Sequence, residues 1–394
     1  MDILLISVVA VIVIALIFDF TNGFHDAANS VATVVATRAL PARWAPAFSA
    51  TFNFLAYFVV GTAVANTIAK TVKAEYGGVA LAFAALFAAI AWNYVTWRFG
   101  MPSSSSHAII GGLVGAGIAA GGLGAIDWSS VEKAGIGIIL SPAVAFAIAF
   151  GAMYLVLGIQ RLTKLHDDHP VFKGLQLVSA AGVSFGHGAN DAQKTMGVIA
   201  ALLLGAGYTE MGADGKTVEV PEWAALSAYS AIALGTLWGG WKIIETMGLR
   251  ITLLHANSGL AANVGATTAI FGATAVGMPI STTHAAASSI VGAGVGSGKG
   301  ANWRVVGNML IAWVFTIPAA GIVAFVMFHL TQLPTPMAVI TVGTAVVAFG
   351  SWAIWAMMHT IHAKDVEAEI PSDTVLAEPL PGEPHLQGHA AVDK

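Results

Sequence analysis

Polar positions along this chain of 394 residues are gathered into short breaks between long apolar stretches. Apolar runs fall at about 3–36, 44–66, 78–99, 102–125, 134–158, 175–206, 223–246, 253–275, 278–297, 304–330 and 335–360. Most are near the roughly 20 residues an α-helix needs to cross a hydrocarbon core. They lack the short alternation of a membrane β-barrel, so helices are the predicted spans. The pattern predicts an all-α polytopic membrane protein with about 10–12 membrane segments. The first run, from Ile3 to Phe18, has no basic leader and no small-residue cleavage site, and reads as a retained helix.

Two polar breaks resemble each other: Asp19-Phe-Thr-Asn-Gly-Phe-His-Asp-Ala-Ala-Asn29 and Gly186-His-Gly-Ala-Asn-Asp-Ala-Gln-Lys194. A second pair follows them. Met101-Pro-Ser-Ser-Ser-Ser-His-Ala108 matches Met278-Pro-Ile-Ser-Thr-Thr-His-Ala285, and each is followed by Val-Gly-Ala-Gly, at 114–117 and 291–294. Each half therefore runs from an Asp-containing break, through two spans, to a Pro-hydroxyl-His segment. The first half holds an odd number of runs, so the second enters the membrane with opposite orientation. That is an inverted-topology repeat of the kind found in secondary transporters, with broken helices and two helical hairpins expected at the polar segments. The predicted division is a first repeat over 1–158, with the Asp26 motif and the Ser103–His107 hairpin, and a second over 175–360, with the Asp191 motif and the Ser281–His284 hairpin. A cytoplasmic linker over 159–174 joins them, and an acidic, Pro-containing, disordered tail follows over 361–394.

Composition agrees with a membrane protein: 57% of residues are apolar and 10% charged, against roughly 25% charged in soluble domains. The net charge of -4 lies mostly in loops and tail and suggests no nucleic-acid surface. The absence of cysteine excludes disulfides and thiol chemistry. Arg38, Arg43, Arg98, the 161–173 stretch, Lys242, Arg250, Lys299, Arg304 and Lys364 share one side if each run crosses once. By the positive-inside rule that side is the cytoplasm, which puts the N-terminus outside and the C-terminus inside; the expected location is the cell's inner, cytoplasmic membrane. Trp44, Trp97, Trp128, Trp223 and Trp303 lie near run ends and suit an interfacial belt. In the linker, His166-Asp-Asp-His169 offers metal ligands, but nothing nearby in sequence completes a shell, and a solvated loop is expected. No resident metal or cofactor is expected anywhere.

Pro102 and Pro279 each precede hydroxyl residues and then small and apolar ones, the signature of a helix start. Inside a membrane such a start presents free N–H groups and the positive end of the helix dipole, which makes an anion site. Ser104, Ser105, Ser106, Ser281, Thr282 and Thr283 would add hydroxyl donors, and the duplication favours this over simple capping or helix packing. Asp26 and Asp191 would repel an anion, and an Asp at mid-membrane costs roughly 2.5–3.5 kcal/mol, so they are read as binding the coupling cation or proton. Asn22, Asn29 and Asn190 add amide oxygens, and Gly23, Gly186 and Gly188 would let the helix unwind toward an ion. Lys194 stands one turn from Asp191, where the first motif has Asn29. Asp19 has no Asp counterpart in the second break and is read as a helix-end or gating residue. His25, His107, His187 and His284 are candidate proton relays or packing residues.

Taken together, the Asn22-Gly-Phe-His-Asp-Ala-Ala-Asn-Ser30 and Gly186–Lys194 signatures and the paired Pro-Ser/Thr-His segments resemble the inorganic phosphate transporter (Pit) family, in its bacterial low-affinity permease branch. The resemblance runs from about residue 10 to 355. It implies a secondary symporter that takes up inorganic phosphate with Na+ or H+ and, in bacterial members, moves a divalent metal–phosphate complex with protons. It further implies a transport core built on Asp26, Asn29, Asp191 and Lys194, with Ser104–Ser106 and Ser281–Thr283 at the hairpins, and members can be homodimers. The first motif reads Phe24-His25-Asp26 where sodium-coupled relatives carry Asn before Asp, a departure that bears on sodium coupling.

The resulting reading is a phosphate symporter working by alternating access, with no enzymatic activity. Lys194 is grouped with the hydroxyls around the phosphate. A sulfate or other oxyanion permease of the same fold is the near alternative, and phosphate is favoured because it can donate a proton to an Asp. An anion channel and an intramembrane Ser–His hydrolase are the alternatives of other classes. The hydrolase is disfavoured because Ser106 and His107, adjacent on a helix, point about 100° apart.

Overall fold

A computed structural model describes residues 2–215 and 217–370. The described chain is helical nearly throughout: α1 Ile3–Asp26, α2 Ala28–Ala36, α3 Ala45–Leu55, α4 Ala63–Ala69, α5 Val79–Arg98, α6 Ser105–Gly121, α7 Trp128–Thr163, α8 Pro170–Gly205, α9 Glu222–Trp238, α10 Trp241–Glu245, α11 Ala256–Ala275, α12 Thr282–Gly296, α13 Trp303–Thr331, α14 Thr335–Met358 and α15 Ala363–Glu369. Among the described residues, six helical stretches are long and apolar enough to cross a membrane: Ile3–Ala36, Val79–Arg98, Ser105–Ala125, Trp128–Thr163, Trp303–Thr331 and Thr335–Met358. α8 has the length, but the polar motif at its centre lowers its hydropathy.

The duplication in sequence reappears as matched packing. α1 lies on α9 and α5, and α8 lies correspondingly on α3 and α11. The helix that follows each Pro-hydroxyl-His helix crosses over: α7 packs on α11 and α12, and α13 on α5 and α6. Both carry an internal proline, Pro142 and Pro318. Small residues make these contacts close. A Cβ added at Gly111 or Gly115 would overlap the backbone of α13, and one at Gly292 the backbone of α7. The two sequence repeats are thus interlocked in space.

Four expectations need correction. The Asp motifs are not unwound: α1 runs into α2 through Ala27, which keeps right-handed helical angles of φ -50° and ψ -34°, and α8 runs unbroken through Asp191. Gly23 and Gly188 serve packing instead, because a Cβ there would overlap the Ile232 and Asn53 carbonyls respectively. The breaks fall in the neighbouring helices. α3 with its following turn and α4 are bent by 87°, and the Gln193 side chain accepts from Val64 N–H and Ala65 N–H at the start of α4 (2.8 and 3.2 Å). α9 and α10 part at Gly239 and Gly240, with Gly239 at φ +75°.

The linker is the second correction, since α7 extends to Thr163 and α8 begins at Pro170, leaving only 164–169 outside helix. His166–His169 are neither a freely solvated loop nor a metal shell. Asp168 receives His255 Nδ1 at 2.7 Å and Ala256 N–H at 2.9 Å, and Asp167 receives Gln160 and Asn257, both at 3.1 Å. Burial alone would raise the Asp168 carboxyl, but these partners hold it below the usual carboxylate range. Third, the first part of the predicted tail is ordered. α15 docks on the α2–α3 connection, where Glu367 accepts from Ala42 N–H at 2.9 Å and Arg38 donates to the Ile370 carbonyl at 3.2 Å. The rest of the predicted tail, 371–394, lies outside the described residues. Fourth, Trp97 is buried, packed edge-on against Phe24 with ring centres 5.3 Å apart. Trp44, Trp128, Trp223 and Trp303 are exposed.

Candidate functional site

The two polar motifs and the two helix starts meet at the middle of the fold. α6 begins behind Ser104 and α12 behind Ser281, and each serine accepts the backbone N–H of the His three residues on, at 3.2 and 3.0 Å. These are ordinary N-caps, so Ser104 and Ser281 each satisfy one helix-start donor. The two starts touch, with Ser106 Oγ donating to the Ile280 carbonyl at 2.5 Å. Pro102 and Pro279 place both starts inside the protein, where the hydroxyl run from Ser103 to Ser106 and from Ser281 to Thr283 is buried.

The other hydroxyls reach the carboxylates. Ser105 Oγ donates to Asp26 Oδ2 at 3.1 Å and Thr283 Oγ1 to Asp26 Oδ1 at 3.0 Å, so Asp26 is held by a hairpin from each half. Thr282 Oγ1 donates to Asp191 Oδ2 at 3.4 Å, and Asn22 Nδ2 reaches the same oxygen from the other half at 3.2 Å. Asn29 Nδ2 donates to Thr282 and Thr283 at 3.2 and 3.3 Å. All these side chains are buried.

Charge is distributed unequally over this frame. Lys194 Nζ lies 2.7 Å from Asp191 Oδ1, with both side chains fully buried. His187 Nε2 lies 3.5 Å from the other oxygen of Asp191. Asp26 has only His25, whose Nδ1 is 2.6 Å from Oδ1, while His25 Nε2 is held by Thr96 Oγ1 at 3.0 Å. Asp26, His187 and Asp191 each bring one ligand atom to a common point, all within 4.8 Å of one another. Two carboxylate oxygens and an imidazole nitrogen there are a cation-binding set, one that spacing in the sequence did not disclose because it joins α1 to α8.

Two groups of predicted residues stand apart from the carboxylates. His107 and His284 lie against each other with ring centres 4.4 Å apart, and His284 stacks on Trp313 at 3.7 Å. They line an apolar cavity of about 600 Å³ with Pro142, Phe146 and Met309. Asn190 is engaged with the α11–α12 connection, donating to Thr274 Oγ1 at 2.9 Å and accepting from Ile280 N–H at 3.3 Å. It positions the second hairpin. The Ser–His hydrolase reading fails on geometry, because Ser106 bonds to a carbonyl and His107 packs against His284. Residues missed in the sequence are Thr96, which holds both His25 and Ser103, and Thr274. Asn53 donates to Thr236 at 2.8 Å and meets His187 at 3.3 Å. Their one signal was a polar side chain inside an apolar run.

A model of the phosphate transporter family matches residues 22–167 and 159–324, nearly all of the helical core. The chain belongs to the phosphate transporter family. It is 45% identical over 329 residues to a probable low-affinity inorganic phosphate transporter of Rhizobium meliloti, covering 82% of this chain and 96% of that one. With the Bacillus subtilis protein of the same description it shares 41% identity, over 84% of this chain and 99% of the relative. Among solved structures, a sodium-dependent phosphate transporter superposes with a TM-score of 0.72 at 25% identity, covering 83% of this chain and 99% of that one. This family membership agrees with the resemblance read from the motifs, and it places the protein among transporters rather than enzymes. The helical fold, with its multi-pass membrane character, agrees as well.

Proposed function

We propose that this protein is a secondary active symporter that carries inorganic phosphate across the cytoplasmic membrane, coupled to Na+ or H+. The observation that carries the proposal is the direct bonding of the two helix starts to the carboxylates, Ser105 of α6 and Thr283 of α12 to Asp26 and Thr282 of α12 to Asp191. Donors suited to an anion are occupied by anions of the protein itself. In the low dielectric of the interior, phosphate cannot enter beside Asp26 and Asp191 unless positive charge enters too. Lys194 offsets one carboxylate and leaves Asp26 to be balanced. A cation or proton on Asp26 would release the hydroxyls of Ser105 and Thr283 to the phosphate, so binding of the two solutes becomes mutually dependent.

The Asp26, His187 and Asp191 set supports a second form of the cargo, a metal ion travelling with phosphate. The relative with a solved structure is described as sodium-dependent, which favours Na+ as the coupling ion. Phosphate is preferred over sulfate because it can donate a proton to a carboxylate. For alternating access, the interlocked packing argues that moving bodies are mixed bundles, α7 with α11 and α12 and α13 with α5 and α6, rather than one sequence half rocking on the other. Uptake of radiolabelled phosphate into proteoliposomes tests the proposal, with sodium varied at constant pH and then pH at constant sodium. Accumulation against a gradient under one of the two is expected. None under either overturns symport, and sodium- and pH-independent equilibration would identify a channel.

A further inference from the structure

A third buried carboxylate stands outside the set formed by Asp26, His187 and Asp191. Asp19 is fully buried, and neither of its oxygens has a hydrogen-bond partner. It shares a face of α1 with Asn22 and Asp26, being two turns, or about 10 Å, from the latter toward the helix N-terminus. Thr195 and Asn22 lie close to its carboxylate without forming bonds of normal geometry, and Tyr229 on α9 is within electrostatic reach. Thr195 Oγ1, Tyr229 OH and Asn22 Oδ1 are each buried and also lack a partner. Asn22 donates one N–H to Asp191, and its amide oxygen has no partner. Unsatisfied oxygen atoms from α1 and α8 thus stand beside one carboxylate, with the unpartnered Tyr229 hydroxyl of α9 within reach of its charge.

We infer that Asp19, Asn22, Thr195 and Tyr229 form a sodium site distinct from the carboxylate pair at Asp26 and Asp191. Leaving one buried polar group unpaired is costly, and a bare charge more so, so a cluster of them marks a missing ligand. Carboxylate, amide, hydroxyl and phenol oxygens are hard donors with no nitrogen or sulfur among them. The nearby charges Asp191 and Lys194 pair with each other, so the site needs a single positive charge. A proton on Asp19 would supply that charge but could bridge to only one of the other oxygens, whereas a sodium ion takes all of them. The second half has no equivalent. Ser184 stands at the same distance before Asp191 as Asp19 before Asp26, and its hydroxyl is spent on the Ala180 carbonyl at 2.9 Å. A single such ion would make the coupling asymmetric.

The role of this ion in transport rests on the symport reading; its occupancy does not. Equilibrium binding of radioactive sodium to the purified protein, with choline as the replacement cation and no phosphate present, therefore tests the site alone. The wild type is expected to bind one more sodium ion per chain than Asp19→Asn, and to lose part of its sodium-induced rise in Tm in that variant. Thr195→Val and Tyr229→Phe should each weaken that binding about tenfold by removing one oxygen, and they carry the test if Asp19→Asn fails to fold. Unchanged sodium stoichiometry and affinity in the variants overturns the inference. So does an infrared band of a protonated carboxyl in sodium-saturated wild type that is absent from Asp19→Asn. Loss of phosphate accumulation with the sodium binding intact would count against the symport reading and leave this site standing.

Discussion

Asp26 and Asp191 occupy matching places in the two halves and are neutralised by different means. Asp191 carries its own counter-ion, Lys194 at 2.7 Å, and takes Asn22 from the opposite half. Asp26 is met by hydroxyls from both hairpins and by His25, and among the described residues no lysine or arginine is paired to it. The backbone frame is symmetric and the charge is not. Helix packing repeats because both halves bury the same small-residue faces, but electrostatic balance is set residue by residue. One carboxylate is built into the structure, and the other is left for a solute to satisfy.

Replacing the two carboxylates is the harshest test of that contrast. Asp26→Asn should abolish coupled phosphate accumulation, by at least about 100-fold, while Tm holds or rises, since it removes a buried charge that lacks a lysine or arginine counter-ion. Uptake and thermal unfolding on the same preparation check this. Lys194→Met should instead strike stability, because it strands Asp191 as a buried unpaired charge at about 3–5 kcal/mol. The double variant Asp191→Asn/Lys194→Met should recover most of that loss. If Lys194→Met is as stable as the wild type, Asp191 is not internally balanced and the contrast fails.

Smaller effects should be symmetric where packing rules. Gly23→Ala and Gly188→Ala each push a methyl group into a neighbouring carbonyl, and equal destabilisation of about 1–3 kcal/mol is expected. Unequal values from denaturation would show that the frame is less symmetric than its contacts. Ser105→Ala should raise the KM for phosphate about threefold to tenfold through loss of one hydroxyl donor, with Tm little changed. At the Asp168–His255 clasp, Asp168→Asn should cost no more than about 1 kcal/mol, as expected of a half-exposed pair. Its carboxyl titrates below the usual range when folded, so the clasp stabilises above that range and is lost as pH falls through the lowered value. Acid unfolding of Asp168→Asn should accordingly show a weaker pH dependence than that of the wild type.

Much of the site was legible before any coordinates. Duplicated Asp and Pro-hydroxyl-His segments named Asp26, Asp191, Ser105, Thr282 and Thr283, because polar residues inside apolar runs are costly enough to stand out. The role of glycine was misread. Gly23 and Gly188 suit an unwound helix and a close helix crossing equally well in sequence, and only the facing Ile232 and Asn53 backbones distinguish the two. His107 and His284 were read as proton relays or packing residues, and only the fold shows that one residue along a helix from the hydroxyls turns the ring away to the cavity side.

By itself, the sequence determined that the chain lives in a membrane, that it is helical and duplicated, and which polar residues lie at its centre. Those are consequences of hydropathy, period and repetition, which are local or self-referential along the chain. Tertiary structure decided which of those residues meet: Asp26 with Thr283, Asn22 with Asp191, His187 with both carboxylates, and the crossing of α7 and α13 between halves. Such pairings depend on helices distant in sequence and on the small residues that let their backbones approach. Spacing along one helix fixes a face, and the partner on that face belongs to the fold.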